Sequence, residues 1–168
     1  MSILTDLLAR VQGVNEGLRT GELVRDALFP RSADVMEMQQ RQLLAGKRPD
    51  GSDIRPSYSE DLKPTGHFYS VESAGRYAAW KQSLSYPYAA QRNADSPNLY
   101  INGKFYDELA VEFGSDAVGI VATTPYAVGI MAKYADAFGL SPESWNTIFS
   151  ERGALADLMT ELKSRLYG

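Results

Sequence analysis

Few residues in this chain are of a type that does chemistry. His67 is the only histidine and there is no cysteine, so histidine-rich and cysteine-based metal sites are excluded. A Ser-His-Asp arrangement would have to use His67, and the serines and aspartates are too numerous to point to partners for it. Beside Phe68 and Tyr69 a lone histidine is more ordinary as a packing or surface residue. A hydrolytic role would require His67 to lie in a pocket beside an acid or a hydroxyl. The chain has no G-x-S-x-G elbow, no G-x-x-x-x-G-K-[ST] phosphate loop and no G-x-G-x-x-G after a strand.

Oxygen ligands cluster at Asp50, Gly51, Ser52 and Asp53 in the manner of a calcium loop. Glu60 and Asp61 come ten and eleven residues after Asp50, but Arg55 and Pro56 interrupt. The plainer reading is a turn at Asp50-Gly51. Lys47, Arg48 and Arg55 form one small basic group, and Arg76, Lys81 and Arg92 another. Interspersed with acids, they read as solvated faces or partner contacts, with a phosphate contact as the alternative. Asp107, Glu108 and Glu112 would need a pocket and a shifted pKa to work as an acid–base pair; the other reading is a wet sheet face. No residue is therefore assigned a catalytic, cofactor-binding or metal-binding role, and the protein is expected not to be an enzyme and to carry no cofactor.

Composition narrows the class further. The 168 residues carry 21 acidic and 17 basic side chains, a net charge of −4, which is not the basic excess of a nucleic-acid binder. Hydrophobic residues make up 44%, enough for a core, and one domain spanning 1–168 is the expectation. No apolar run approaches the roughly 20 residues that span a bilayer, and the N-terminus does not read as a signal peptide. A soluble protein made in the cytoplasm, with no membrane association, is expected. Tyrosine occurs ten times, much of it in the irregular middle. The cluster Phe68, Tyr69, Tyr77, Trp80, Tyr86 and Tyr88 reads either as core or as aromatic anchors for a neighbouring subunit. With Arg48 and Tyr58 these residues form the candidate partner interface.

The elements that must position them read as α+β: N-terminal helices, an irregular Tyr/Pro-rich middle, an antiparallel hairpin or small sheet, and C-terminal helices. Apolar spacing predicts a helix over 3–14, capped by Ser2 or Thr5 and weakened by Gly13 and Gly17 toward its end. A second is predicted over 21–29, ended by Pro30. A third is predicted over 32–45, capped by Ser32, with Val35, Met36, Gln39, Leu43 and Leu44 as its stripe and Gly46 as its stop. Segments 46–66 and 85–97 are irregular and are expected to be extended or ordered by a partner. Between them Ser70 caps a helix over 71–84 carrying Ala74, Tyr77, Ala78, Trp80 and Leu84. Alternation from Phe105 through Leu109, Val111 and Phe113, resumed at Val118, Ile120 and Ala122, predicts two strands joined by a turn at Gly114-Ser115-Asp116. A helix is predicted from Pro125 through Ala137, ended by Gly139. Ser141-Pro142 opens the last, running to about Leu166 with a break expected at Gly153.

Three separated segments together resemble a known family. Gln42-Leu43-Leu44-Ala45-Gly46, then Asp50-Gly51, Ile54, Pro56 and Tyr58, resembles a QL-x-x-G…G-x-x-I-x-P-x-Y pattern. Leu99-Tyr100-Ile101-Asn102-Gly103-Lys104-Phe105-Tyr106 resembles a segment ending T-G-x-F-Y or T-G-x-L, with Asn102 in place of the usual threonine. Phe138-Gly139-Leu140-Ser141-Pro142-Glu143 resembles an F-G-L-[ST]-x-E segment before a C-terminal helix. In this order they are similar to small virion-morphogenesis proteins of tailed bacteriophages, of the tail-completion or head–tail joining type, especially those from Bacteroidetes hosts. The matched segments cover at most about a quarter of the chain, and the stretch between Pro56 and Asn98 departs from the pattern. The resemblance implies a non-enzymatic virion subunit at the head–tail junction or tail. It would form a ring with copies of itself and bridge portal, neck or tail proteins, with incidental contact to packaged DNA left open. The alternative is a small cytoplasmic adaptor or binding module without a virion role.

Overall fold

The structure, a computed structural model, describes residues 3–88, 91–114, 117–150 and 152–167. It is α+β, with helices at both ends of the chain and a two-stranded antiparallel sheet between them. Where length suggests one domain, the contacts divide into two compact units. The first comprises Met1–Val35, Val111–Gly119 and Glu143–Gly168; the second, Met36–Ala110 and Ile120–Pro142. Among the described residues no helix is long and apolar enough to cross a membrane.

The first unit is built from α1 (Ile3–Arg19), α2 (Glu22–Leu28), a 3-10 turn (Phe29–Arg31) and the start of α3 (Ser32–Leu44). It also holds α7 (Pro142–Ile148) from Glu143 on, α8 (Ala154–Tyr167) and the tip of the hairpin. Leu23, Ala27 and Leu28 are buried, as the spacing on α2 predicts, and α1, α2 and α8 pack together. The helix predicted over 3–14 runs on to Arg19. Gly17 is not a breaker, because a Cβ there would stand 3.0 Å from Leu23 Cγ; packing of α1 onto α2 outweighs the helix-propensity cost of glycine. The break at Gly153 does separate α7 from α8, and a Cβ there would meet the Ile148 carbonyl oxygen at 2.2 Å. Ser32 does not act as the predicted N-cap. The 3-10 turn delivers the chain already helical, with Ser32 at φ −54°, and its hydroxyl donates back to the Phe29 carbonyl. The alternative cap Ser2 lies outside the described residues.

The second unit holds the remainder of α3, α4 (Val71–Gln82), a single helical turn α5 (Lys104–Asp107), the base of the hairpin and α6 (Pro125–Lys133). Its core gathers Leu43, Leu44, Ile54, Phe105, Tyr106, Leu109, Ala127, Tyr134 and Ala137. The strands are β1 (Leu109–Phe113) and β2 (Val118–Ala122), shorter than the alternation from Phe105 suggests. Gly103 in the left-handed region at φ 87°, with the Asn102 side chain accepting from Lys104 N at 3.3 Å, sets up a helical turn instead. Phe105 and Tyr106 are then both buried, which a strand cannot do on one face. The strands are framed by Gly114 N donating to Ala117 O at 2.8 Å and Thr123 N to Glu108 O at 3.0 Å. Ser115 and Asp116 of the predicted turn lie outside the described residues.

Two of the segments that carry the family resemblance are tied to each other in this unit. Gln39 is fully buried; its amide donates to Ala137 O at 3.2 Å and its oxygen accepts from Gly139 N at 2.8 Å. Gln42 donates to Gly139 O at 2.9 Å and accepts from Ser141 N at 3.2 Å. These side chains satisfy backbone groups that a buried loop would otherwise leave unpaired. Gly46 ends α3 at φ 66° and accepts from Ile54 N and from Ser96 Oγ, each at 2.8 Å. The motif residues thus form a frame.

Candidate functional site

The frame of the second unit borders a cavity of about 500 Å³, open to solvent on one side, within the size range of small-ligand sites. Four stretches line it: the loop carrying Tyr58, Asp61, His67 and Phe68; α4, through Tyr77 and Lys81; the 97–102 loop with Phe105; and α6, through Tyr126, Ile130 and Lys133, with Tyr134 just after it. Ser70 sets the start of α4 by a capping box, its hydroxyl accepting from Ser73 N at 3.2 Å while Ser73 Oγ accepts from Ser70 N at 3.1 Å. From that start, Ala74, Tyr77, Ala78 and Lys81 fall on one face of the helix, and Trp80 falls on the outer one. On α6, Thr124 caps with its hydroxyl 3.4 Å from Ala127 N, and Tyr126, Ile130 and Lys133 recur at helical spacing. The walls are aromatic: Tyr58, Phe68 and Tyr77 stand mutually edge-on or tilted, with centroids 5.1–6.0 Å apart.

The cavity has two polar corners. At one, Asp61 is almost wholly buried, its side chain 8% exposed, and its Oδ2 accepts from Lys133 Nζ at 2.6 Å. His67 Nδ1 lies 3.0 Å from the same oxygen and 2.9 Å from Lys133 Nζ, while the ring is 71% exposed at the rim. The backbone fixes this corner: His67 N and Phe68 N donate to Asp61 O at 2.8 and 2.9 Å. Only glycine fits at position 66, where a Cβ would stand 2.1 Å from the Asp61 carbonyl carbon. His67 therefore lies beside an acid, the arrangement that a hydrolytic role requires.

At the other corner, Lys81 is 1% exposed. Its ammonium donates to the Tyr100 carbonyl, and the Tyr86 hydroxyl donates to the Lys81 carbonyl. Among the described residues no carboxylate pairs with Lys81. Burial, reinforced by the nearby Arg92 charge, pushes the amine down to about 7. Burial also lifts the Tyr58 phenol to about 12 and the Tyr106 and Tyr134 phenols well above their usual range. Next to this corner the Asn98 side-chain nitrogen is buried without a hydrogen-bond partner among the described residues, although Asn98 O accepts from the Tyr106 hydroxyl at 2.7 Å.

The eight residues of the candidate interface divide. Tyr58 is buried, and Phe68 and Tyr77 pack half-buried against it. Tyr86 and Tyr88 pack on the main core, Tyr88 beneath the Arg41 guanidinium at 4.1 Å. Arg48 pairs with Asp136 at 2.8 Å. Tyr69 and Trp80 stand in solvent, with Trp80 5.3 Å from the Tyr77 ring. Segment 46–66 does not run extended. Ile54, Tyr58 and Asp61 are buried in it, and it is tied to the 85–97 segment by Tyr58 N to Asp95 O at 2.9 Å and Ser59 N to Asp95 Oδ1 at 2.8 Å.

The oxygen cluster at 50–53 is a turn closed by its own groups. Asp50 Oδ1 accepts from Ser52 N and Oγ at 2.9 and 2.6 Å, and Lys47 Nζ donates to Asp53 at 2.7 Å. The Arg55 guanidinium and Ser57 N hold Glu60, and its carboxyl is drawn down to about 2. Sequence reading places Lys81 in a basic group on a solvated face, but Lys81 is buried at the cavity; the same reading passes over Lys133. The signal for Lys81 is its place seven residues after Ala74 on an otherwise apolar face. Nothing in the sequence joins Lys133 to Asp61. Compared with known proteins, the chain finds no match among family models, curated proteins or solved structures.

Proposed function

We propose that the protein is a structural subunit of a tailed-bacteriophage virion, at the neck or tail-completion position. It assembles as a ring and bridges portal, neck or tail proteins. The observation that carries this reading is the set of large aromatic and aliphatic side chains left in solvent on the second unit, two of which, Tyr126 and Ile101, line the cavity. Tyr69 is 87% exposed and Tyr126 63%, and Trp80 and Ile101 are also exposed. Large apolar side chains held in solvent by a well-packed frame are the usual mark of a surface that a partner covers. A ring of identical subunits uses two different faces of each subunit, so one such patch would meet a dissimilar face on the next copy. The motif resemblance supplies the class of partner. The test is the mass of the full chain in solution together with protein identification on purified particles. A ring, and its presence in virions, is expected. A strict monomer at every concentration that is absent from particles overturns the proposal, and a monomer that captures a non-virion protein gives the adaptor reading instead.

The contact of His67 with Asp61 favours a second reading, an acid–base site for hydrolysis. Among the described residues no serine or threonine lines the cavity, so water would be the attacking group, with His67 as its base. Lys133 weighs against this, because its ammonium crowds the same nitrogen. Turnover of a chromogenic ester that is lost in His67→Ala would support this reading; the absence of turnover by the native protein ends it.

A further inference from the structure

We infer that the cavity of the second unit is a binding site for an aromatic carboxylate, with Lys81 as the group that receives the acid. Three observations carry this. The first is an unmet charge requirement. Lys81 is 1% exposed and lines the cavity, and among the described residues its ammonium has one acceptor, the Tyr100 carbonyl, where an ammonium has three donors. A buried cation without a counter-charge is costly, and the charge closest in effect is the like charge of Arg92. The one carboxylate that lines the cavity among the described residues, Asp61, is already occupied by Lys133 and His67. An acid that enters the cavity can accept from Lys81 and supply the missing counter-charge, whereas a neutral ligand can only accept and a cation adds a second like charge.

The second observation is the shape and chemistry of the walls. Tyr58, Phe68, Tyr77, Phe105, Tyr126 and Tyr134 surround a space of about 500 Å³. Their ring faces and edges suit a flat apolar group by stacking and edge contacts. The third is the frame behind Lys81. The Tyr86 hydroxyl holds the Lys81 carbonyl, and the backbone between Asn98 and Tyr100 is pinned by Asn98 Oδ1 accepting from Tyr100 N at 3.2 Å and by the Tyr106 hydroxyl on Asn98 O. The amine is therefore held in place before any ligand arrives, which lowers the ordering cost of binding. Acid binding in this cavity is independent of the virion reading, and either can fail while the other stands.

The carboxylate can come from a free small acid or from an acidic side chain beside an aromatic residue in a protein segment. The experiment tracks backbone amide resonances of the full chain during titration with 3-phenylpropionate, with its carboxamide, and with blocked Phe-Glu and Phe-Gln dipeptides. The acid is expected to shift Leu99, Ile101 and Ile130 saturably, with affinity at least roughly tenfold above the amide, as one charge-assisted hydrogen-bond set supplies. Lys81→Met should erase that preference while the amide's own affinity is kept. A tighter Phe-Glu dipeptide names a protein segment as the source, and a tighter free acid names a small molecule; both satisfy the inference. Equal affinity for acid and amide on the native protein, shifts confined elsewhere, or no saturable shift at all overturns it, and none of these outcomes depends on the variant folding. An acid preference that survives Lys81→Met overturns the role given to that residue.

Discussion

The two polar corners of the cavity solve the same problem in opposite ways. Each places a lysine against aromatic walls. Lys133 reaches a buried carboxylate, and the pair cancels, with its side chain 28% exposed so that water helps to screen it. Lys81 is more deeply buried and, among the described residues, has only a backbone carbonyl to donate to. One corner is complete in the folded chain, and the other is complete only if something brings an anion. A closed ion pair reads as architecture. An unclosed one, at the same cavity and supported by a rigid frame, reads as a place prepared for a ligand.

The largest expected effect comes from opening the closed corner. Lys133→Met leaves the Asp61 carboxylate buried with only the exposed His67 ring beside it, and should cost about 3 kcal/mol. Urea unfolding with an unchanged slope checks it. A loss near zero would mean that Asp61 is solvated in the folded protein and that the two corners do not differ.

The Lys81 corner should respond with the opposite sign. Below pH 7 the amine is charged in both the folded and the unfolded chain, and the penalty for burying that charge is fully present. Between pH 7 and the ordinary value of 10.5, the unfolded chain holds a proton that the folded chain has shed, so stability rises with pH across that window. Lys81→Met removes the penalty at comparable volume. It should stabilise the protein by about 2 kcal/mol at pH 6, and the gain should shrink progressively toward pH 10. Thermal or urea unfolding at pH 6 and pH 9 separates this from a simple packing effect, which would be the same at both.

The same contrast shows what a sequence can reveal. Helix ends are partly legible because caps act locally: Ser70 bonds within three residues and Gly46 supplies the positive φ that stops α3, whereas α6 stops at Lys133, short of the predicted Ala137, and Gly139 lies beyond a separate 3-10 turn. The hairpin is legible through its alternation, but that pattern overstates the first strand, because a helical turn set by Gly103 interrupts the period. Composition understates α1, because Gly17 looks like a breaker and serves as a contact. The cavity is the least legible part. Asp61 and Lys133 lie 72 positions apart and Lys81 and Tyr100 lie 19 apart, and no periodic pattern connects them. His67 is visible as a lone histidine; its partner is hidden among 21 acids. The residues that carry the resemblance divide: Gln42 and Gly46 hold the frame, while Tyr58, Leu99, Ile101, Asn102 and Phe105 line the cavity.

A smaller effect tests whether α4 is what aims Lys81 at the cavity. Ser70→Ala removes one half of the capping box and should cost about 1 kcal/mol, read as a lowered thermal midpoint. If the helix start is what positions Lys81 and Tyr77, the amide resonances of both should shift, while those around Asp61 and Lys133 stay in place.

The smallest effect on stability should come from Tyr69, and that smallness is informative. Its ring is 87% exposed, and the Lys63 ammonium stands 5.8 Å from its centroid. Truncation to serine removes almost no buried area and should change the unfolding free energy by less than about 0.5 kcal/mol. If the exposed aromatic side chains are an interface between subunits, Tyr69→Ser should weaken self-association by about tenfold or more, as buried aromatic anchors do, while the monomer unfolds as before. Sedimentation of the two proteins over a dilution series reads this directly. Unchanged association together with unchanged stability would remove Tyr69 from the interface and leave that role to Tyr126 and Ile101, which line the cavity and would then be better understood as its entrance.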